Sequence, residues 1–456
     1  MANQKHIVVI GMGYVGIPCA ALLADVPGHK VTGVQRRSKR SGWKIDCLNR
    51  GSSPFEGHEP GLEELLSRVV AQGSFSVTDD LSICKHADVI LVDVQTPVDD
   101  HHIPRYEDLR GAIERVGRFL HKGTLVIVES TVAPGTTQNV VQPLLEEHSG
   151  LEAGQDFSLA FSYERVMPGK LLEYIVNFPR VVGGIDEEST QRAVALYRTI
   201  VRGQITPTDL LSAEMAKVVE NAYRDVNSAV ANEVALLCER MGVDVFEIRE
   251  LIHARPDRQV HLPGAGVGGH CLPKDSWLLH YGVNTYGRSS PEMRLIPLAR
   301  TINDGMPAHL LSLLEEELEN MGMKVDGAKV AILGVAYLEN SDDTRNTPAA
   351  VLAKLLLARG AQVVAHDPYV READWLRELG DGKEVSLTKE LDDALDGADC
   401  AVLVTKHQEY IELAPSRIRA KMRTAVMVDG RNVLPSSTDE IKVHAVGKGE
   451  FKWQSI

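Results

Sequence analysis

His6-Ile7-Val8-Val9-Ile10-Gly11-Met12-Gly13-Tyr14-Val15-Gly16, followed by Ala20-Ala21-Leu22-Leu23-Ala24, is the stretch that decides the fold. A short apolar β-rich run, then Gly-x-Gly-x-x-Gly, then a helical run reads as strand, tight turn and helix. In that setting the glycines form the fingerprint with which a parallel α/β sheet receives a dinucleotide. Gly11 makes the turn, Gly13 admits a pyrophosphate to the helix N-terminus, and Gly16 lets helix pack on strand, with Tyr14 and Val15 completing the loop. The alternative is a merely tight turn between strand and helix.

Working outward, the second strand, Lys30-Val31-Thr32-Gly33-Val34, should end in a carboxylate that binds the adenosine ribose hydroxyls. Gln35 stands there instead, heading the basic cluster Arg36-Arg37-Ser38-Lys39-Arg40. Without the acid a 2′-phosphate is no longer repelled and guanidinium groups can bind it, so NAD and NADP are both open. The competing account is a solvated basic loop with Gln35 still bonding a ribose hydroxyl. Further strands at 87–92 and 124–128 end in Gln95-Thr96-Pro97 and in Glu129-Ser130-Thr131-Val132-Ala133-Pro134-Gly135-Thr136. Ligands of parallel sheets sit beyond the strands' carboxyl ends, so Thr96, Ser130 and Thr131 belong on the cofactor rim, or are simple turn formers. Ser158-Leu159-Ala160-Phe161 then runs into Ser162-Tyr163-Glu164-Arg165-Val166-Met167-Pro168-Gly169, where Glu164 and Arg165 are a base beside an anion binder, or a surface ion pair.

Composition sets the frame. The chain has 456 residues, 44% of them apolar, enough for two or three domains, and a formal charge of -14 that argues against a nucleic-acid surface. Six cysteines lie scattered with no CxxC pair, which reads as a reducing compartment with neither disulfide framework nor zinc site. No apolar run is long enough to cross a bilayer, and the expected location is the cytoplasm.

From Ala213 to Arg240 a helical period runs without proline or glycine, predicting a long central helix that also serves as a dimer seam. Lys217, Asn221 and Arg224, at i, i+4 and i+7, share one face and can all donate to one anionic or hydroxyl-rich ligand. Next comes Gly264-Ala265-Gly266-Val267-Gly268-Gly269-His270-Cys271-Leu272-Pro273-Lys274-Asp275. A loop so poor in side chains lets backbone approach a ligand, with Cys271 as its soft nucleophile; the bland alternative is a turn with a structural cysteine. A helical run from Pro291 to about Glu319 follows, then a second α/β unit: strand 329–336, helix 348–359, and strands 362–367 and 400–405. It lacks a full Gly-x-Gly-x-x-Gly, so it suggests a nucleotide-shaped pocket not tuned for NAD, with Arg345 and Arg431 on its loops as phosphate clamps or as surface ion pairs.

Taken together, GMGYVG, ESTVAPGT, YERVMPG, EMAKVVENAYRDVN, GVGGHCLPKD and SDDTRNTP, in this order over nearly the whole chain, resemble the nucleotide-sugar 6-dehydrogenase family, of which UDP-glucose dehydrogenase is the best-known member. The resemblance implies two Rossmann-like doubly wound α/β domains, an NAD(P)-binding one at 1–207 and a UDP-sugar-binding one at 311–456, joined by a central helical dimerisation region at 208–310. ERVxPG, GGHC and the R-D-V-N helix resemble the branch acting on UDP-N-acetylhexosamines, especially UDP-N-acetylmannosamine. Pro168 stands where the UDP-glucose branch carries a second glutamate.

What the family implies is a four-electron oxidation of a sugar C6 alcohol to a carboxylate, with two nicotinamide cofactors used in turn and Cys271 forming a thiohemiacetal and then a thioester. By resemblance Lys217 stabilises the oxyanion and Asp275 orients a water, while Asn221 donates to the same oxygen. Glu164 is the base for thioester hydrolysis, and Thr131 positions its water. Arg165, Arg224, Arg258 and Arg431 contact the substrate, while Lys274 and Arg345 join Gly11, Gly13, Tyr14, Val15, Gly16, Gln35, Arg36 and Thr96 on the cofactor side. No metal is implied; a UDP-sugar and a second copy of the chain are the expected partners. Two departures stand out: Gln35, and Leu338 where the family usually has lysine. The competing readings are a UDP-N-acetylglucosamine or UDP-glucose enzyme, a two-electron hydroxyacid-type dehydrogenase with a structural Cys271, and a non-catalytic sugar-nucleotide sensor.

Overall fold

The computed structural model describes residues 4–39, 41–55, 57–289, 292–380 and 385–449. Arg40 of the basic cluster and Pro291, the expected start of the later helix, lie outside them. The chain packs as two compact units, Met1–Glu220 with Lys274–Glu292, and Asn221–Pro273 with Met293–Ile456. The segment 208–310 is shared between them, with 208–220 and 274–292 in the first and 221–273 and 293–310 in the second. Ala235, Cys238, Val245, Ala265, Met306 and Leu310 are buried in one cluster with Val330, Ile332 and Val402 of the second sheet.

In the first unit eight strands form one sheet: β1 Lys5–Ile10, β2 His29–Val34, β3 Phe75–Thr78, β4 Val89–Val92, β5 Leu125–Val128, β6 Ser158–Phe161, β7 Arg180–Gly184 and β8 Ile205–Asp209, in the order β3-β2-β1-β4-β5-β6-β7-β8. Neighbours are parallel except β6 and β7. β4, β5 and β6 are buried throughout, as strands must be when helices cover both faces of a sheet. The order reverses between β1 and β4, so the carboxyl ends of these two strands flank the crevice where such sheets bind ligands.

The second unit repeats the plan with six parallel strands: β9 Lys329–Leu333, β10 Gln362–His366, β11 Ser386–Thr388, β12 Cys400–Leu403, β13 Val426–Asp429 and β14 Lys442–Ala445, in the order β11-β10-β9-β12-β13-β14. The predicted long helix runs Leu210–Met241, 32 residues. The later ones are Leu295–Asn320 and Pro348–Ala358, the latter started by Thr347, whose side chain accepts from the Ala349 amide.

Candidate functional site

On the first unit the glycine loop has the form that a dinucleotide requires. Gly11 has φ +107°, and a Cβ there would stand 2.3 Å from the Asp93 carbonyl oxygen; a Cβ on Gly16 would stand 2.0 Å from the carbonyl oxygen of Gly11. Both positions exclude any side chain. A Cβ on Gly13 would meet nothing within 4 Å, so the loop is open where a pyrophosphate would approach backbone. Val15 is the N-cap of the helix Gly16–Ala24, and Tyr14 stacks on Phe55 at 4.3 Å. These residues fit a nicotinamide dinucleotide.

At the end of β2, Gln35 Oε1 accepts from the Met12 amide at 3.2 Å and its Nε2 donates to Ser41 Oγ at 3.0 Å, so the side chain props the glycine loop. Arg36 pairs with Asp108 at 3.2 Å and Arg37 with Asp79 at 3.0 Å. Each guanidinium already faces a carboxylate. On the rim, Thr96 Oγ1 donates to the Thr131 carbonyl at 2.5 Å and Ser130 Oγ to the Val94 carbonyl at 2.8 Å. Thr96 thereby fixes the backbone of Thr131.

Glu164 and Lys217 come together: Lys217 Nζ donates to the Glu164 carbonyl at 2.8 Å and lies 5.3 Å from the centre of the Tyr163 ring. The Glu164 carboxylate accepts from the Val166 amide. Arg165 is braced by Glu220 at 2.9 Å, by Tyr163 Oη at 2.9 Å and by the Pro179 carbonyl, so its donors hold the protein's own groups. Lys274 Nζ pairs with Asp275 Oδ1 at 2.7 Å in a nearly water-free setting. Sequence reasoning passed over Glu214, whose carboxylate accepts from the amides of Gly135 at 2.5 Å and Thr137 at 2.8 Å and so shapes the loop after β5. Burial pushes this carboxyl up to about 7, against the pull of the amides.

The thiol belongs to the second unit. Cys271 is half-buried, whereas the other five cysteines are buried. It immediately precedes Leu272, the first residue of a 15-residue helix, and His270 Nε2 lies 3.4 Å from its sulfur. The loop is pinned by a hydrogen bond from the Gly269 amide to the Arg345 carbonyl at 2.8 Å, and by another from Asn346 Nδ2 to the Gly269 carbonyl at 3.0 Å. Tyr337 presses so closely that Cβ atoms on Gly268 and Gly269 would fall 2.6 and 2.9 Å from it. Gly268 and Gly269 thus serve packing against Tyr337, whereas Cβ atoms on Gly264 and Gly266 would meet Arg431 and Asn303 instead.

Asp343 grips Arg345 bidentately, with Nε–Oδ1 2.8 Å and Nη2–Oδ2 2.5 Å. That guanidinium and the Tyr337 phenol are both within electrostatic reach of the Cys271 sulfur, and Arg224 reaches Tyr337. A cation and a helix N-terminus both favour thiolate over thiol. Asn221 is buried on the central helix. Arg431 donates through Nε to the Val404 carbonyl at 2.9 Å, and burial lowers its affinity for its proton. Arg258 is the outlier, an exposed residue paired with neighbouring Asp257 at 2.8 Å.

Asp367, at the end of β10, stands where the second sheet would keep a ribose-binding acid. It accepts from the amides of Val335 at 2.8 Å and Ala336 at 2.9 Å, and from His407 Nε2 at 3.0 Å. Its oxygens also receive the amides of Tyr369 and Val370. The carboxylate is turned inward onto its own loop.

A doubly wound sheet with an intact dinucleotide loop in one unit, and a second nucleotide-type sheet in the other, is the architecture of an NAD-linked oxidoreductase. The chain belongs to the UDP-glucose/GDP-mannose dehydrogenase family: residues 5–201 match its NAD binding domain, 211–305 its central domain and 331–436 its UDP binding domain. The UDP-N-acetyl-D-mannosamine dehydrogenase of Pyrococcus horikoshii is 38% identical, over 98% of this chain and 100% of that one. A structure of UDP-D-ManNAc dehydrogenase from the same organism superposes with a TM-score of 0.88 at 37% identity, covering 98% of this chain and 100% of that one. The NDP-N-acetyl-D-galactosaminuronic acid dehydrogenase of Methanosarcina mazei Go1 gives a TM-score of 0.82 at 42% identity, over 98% and 96%.

Proposed function

We propose that the chain oxidises the C6 alcohol of a UDP-N-acetylhexosamine to the carboxylate, with UDP-N-acetyl-D-mannosamine as substrate, and that Cys271 is its covalent acceptor. The observation that carries this reading is the setting of Cys271, the least buried of the six cysteines, at a helix N-terminus with Arg345 in electrostatic range. Gly11, Gly13, Gly16 and the rim of Thr96 would hold NAD, which would supply the hydride acceptor for both oxidation stages. The rest is done by the chain's own residues.

An aldehyde cannot lose a second hydride until a nucleophile adds to it. The Cys271 thiolate forms the C–S bond, giving a thiohemiacetal; oxidation makes it a thioester, and water then breaks the C–S bond to release carboxylic acid and restore the thiol. The balance is one alcohol, two NAD and one water giving one carboxylate, two NADH and three protons. Lys217 and Asn221 donate to the oxygen on the reacting carbon as it gains negative charge, and Asp275 orients a water. Glu164 accepts the proton of the hydrolytic water, which Thr131 positions. Arg224 and Arg431 bind the sugar nucleotide, while Arg165 is a brace for the Tyr163–Glu164 segment.

The pairing of Arg36 with Asp108 and of Arg37 with Asp79 supports NAD over NADP, because two aspartates beside the ribose edge oppose a 2′-phosphate. An apolar stripe on the central helix, Tyr223 67%, Val230 48%, Leu237 57% and Met241 71% exposed at spacings of seven, seven and four, supports a homodimer formed through it. Reduced thiols throughout support a cytoplasmic enzyme.

The 42% identity to the galactosaminuronate enzyme favours one second reading, the galacto epimer. Steady-state kinetics with the UDP derivatives of N-acetylmannosamine, N-acetylgalactosamine, N-acetylglucosamine and glucose, each with NAD and NADP, tests both. The manno sugar with NAD should give the highest kcat/KM, by about tenfold or more. A preference for UDP-glucose, or for NADP, would overturn the corresponding assignment.

A further inference from the structure

Beneath the glycine loop lies a buried charge cluster that the proposed chemistry does not use. Glu129 follows β5, Arg180 opens β7, Tyr197 stands on the helix Glu187–Tyr197, and Cys19 on the helix Gly16–Ala24. Glu129 Oε1 collects every donor in reach: Arg180 Nη2 in an ion pair, Tyr197 Oη at 2.7 Å and Cys19 Sγ at 4.0 Å. The Arg180 guanidinium lies 3.8 Å from the centre of the Tyr197 ring, and its Nε donates to Ser162 Oγ at 2.9 Å.

Glu129 Oε2 is left buried with no donor among the described residues, and the same is true of Asp93 Oδ2, just beyond β4. The two residues are neighbours at the ends of paired strands: Val92 of β4 pairs with Val128 of β5, and the Glu129 amide donates to the Val92 carbonyl at 3.0 Å. Two buried carboxylates against one guanidinium would leave a net negative charge without water to stabilise it. A single proton between the two orphaned oxygens removes both deficits at once, because a carboxylic acid is a donor where a carboxylate is only an acceptor.

Asp93 is also the residue against which the glycine loop is built. Its amide donates to the Ile10 carbonyl at 2.7 Å, its carbonyl is what a Cβ on Gly11 would strike, and its Cβ lies 3.5 Å from where one on Gly16 would be. We propose that Asp93 and Glu129 share one proton carried on Asp93, and that Asp93 is thereby a positioning residue for the dinucleotide, supporting Gly11 and Gly16 without a second negative charge beneath the pyrophosphate loop. Burial first, and the Glu129 charge second, push the Asp93 carboxyl well above the usual carboxylate range. The charged and titratable groups facing the pair are Arg180, Tyr197, Cys19 and Glu164. Of these four, Arg180 is the cation, and one guanidinium balances one carboxylate.

The proposal rests on the glycine loop as the dinucleotide site, and infrared spectroscopy with NAD binding measured across pH separates the two. In a Glu214→Gln background, which removes the other buried carboxyl that holds a proton near neutrality, the protein should show the carbonyl band of a protonated carboxyl at neutral pH. That band should vanish on alkaline titration over the same range in which the Kd for NAD rises, by at most about tenfold per pH unit. In the same background Asp93→Asn keeps an N–H donor toward Glu129; it should lack the band, bind NAD within about threefold of its parent at neutral pH, and show no alkaline rise. Asp93→Val, with no donor, should weaken binding by about tenfold or more. A Glu214→Gln protein that binds NAD but has no such band overturns the shared proton, as does an Asp93→Asn protein that retains both band and alkaline rise. Failure of the dinucleotide reading would look different, with no NAD binding at any pH. If the Asp93 variants do not fold, the band of the Glu214→Gln protein and its coincidence with the change in Kd decide.

Discussion

At the scale of single residues, Cys271 is half-buried, whereas Cys19, Cys47, Cys84, Cys238 and Cys400 are buried. Iodoacetamide should therefore label Cys271 first, as read by peptide mass mapping. Arg345→Leu removes the cation in range of the sulfur, and each unit by which the thiol pKa then rises costs about tenfold in thiolate at neutral pH. Alkylation of Arg345→Leu should slow accordingly, whereas an unchanged rate would place the activation elsewhere. Glu214 predicts a pH effect on stability. Its folded pKa of about 7 exceeds the unfolded value near 4.5, so its contribution is fully present below 4.5 and is lost as pH rises through about 7. Thermal melting of wild type should decline over that window relative to Glu214→Gln, which cannot titrate. The thiol was legible in sequence because its loop is local. The links between Asp93 and Glu129 and between Glu214 and the Gly135 amide were not, since each joins residues distant in the chain that only the sheet brings together.

At the scale of elements, the strand, glycine loop and first helix follow from residues 6–24 because apolar period, turn residues and strand length all agree. β7 and β8 escaped notice for a physical reason. Arg-Val-Val-Gly-Gly and Ile-Thr-Pro-Thr-Asp lack a clean alternation, and β8 is a partly exposed edge strand where a proline is tolerated. Gly16→Ala tests the loop: its Cβ has nowhere to go but toward the Gly11 carbonyl, so NAD affinity should fall by about tenfold or more, as read by fluorescence titration. The same substitution at Gly13, where space is open, should be milder. On the central helix, Leu237→Asp places a charge in the exposed apolar stripe, and sedimentation should show a shift from dimer toward monomer.

At the scale of the whole molecule, the sequence reading expected three regions, and the family's three domains match similar ranges, yet the chain packs as two units. Helical period marks where a helix runs and is silent on which core it joins. Ala235, Cys238 and Val245 joining the second unit's cluster could not be read from spacing. The division of labour is chemical: one unit carries a dinucleotide loop, and the other carries the thiol and a nucleotide-type sheet whose Asp367 is turned inward. The central claim is that the thiol makes a second oxidation possible on the same carbon. The yield of NADH from a limiting amount of UDP-N-acetyl-D-mannosamine, with excess NAD, tests it most directly. Wild-type enzyme should form two NADH per sugar, with the carboxylate as product; one NADH per sugar would contradict it.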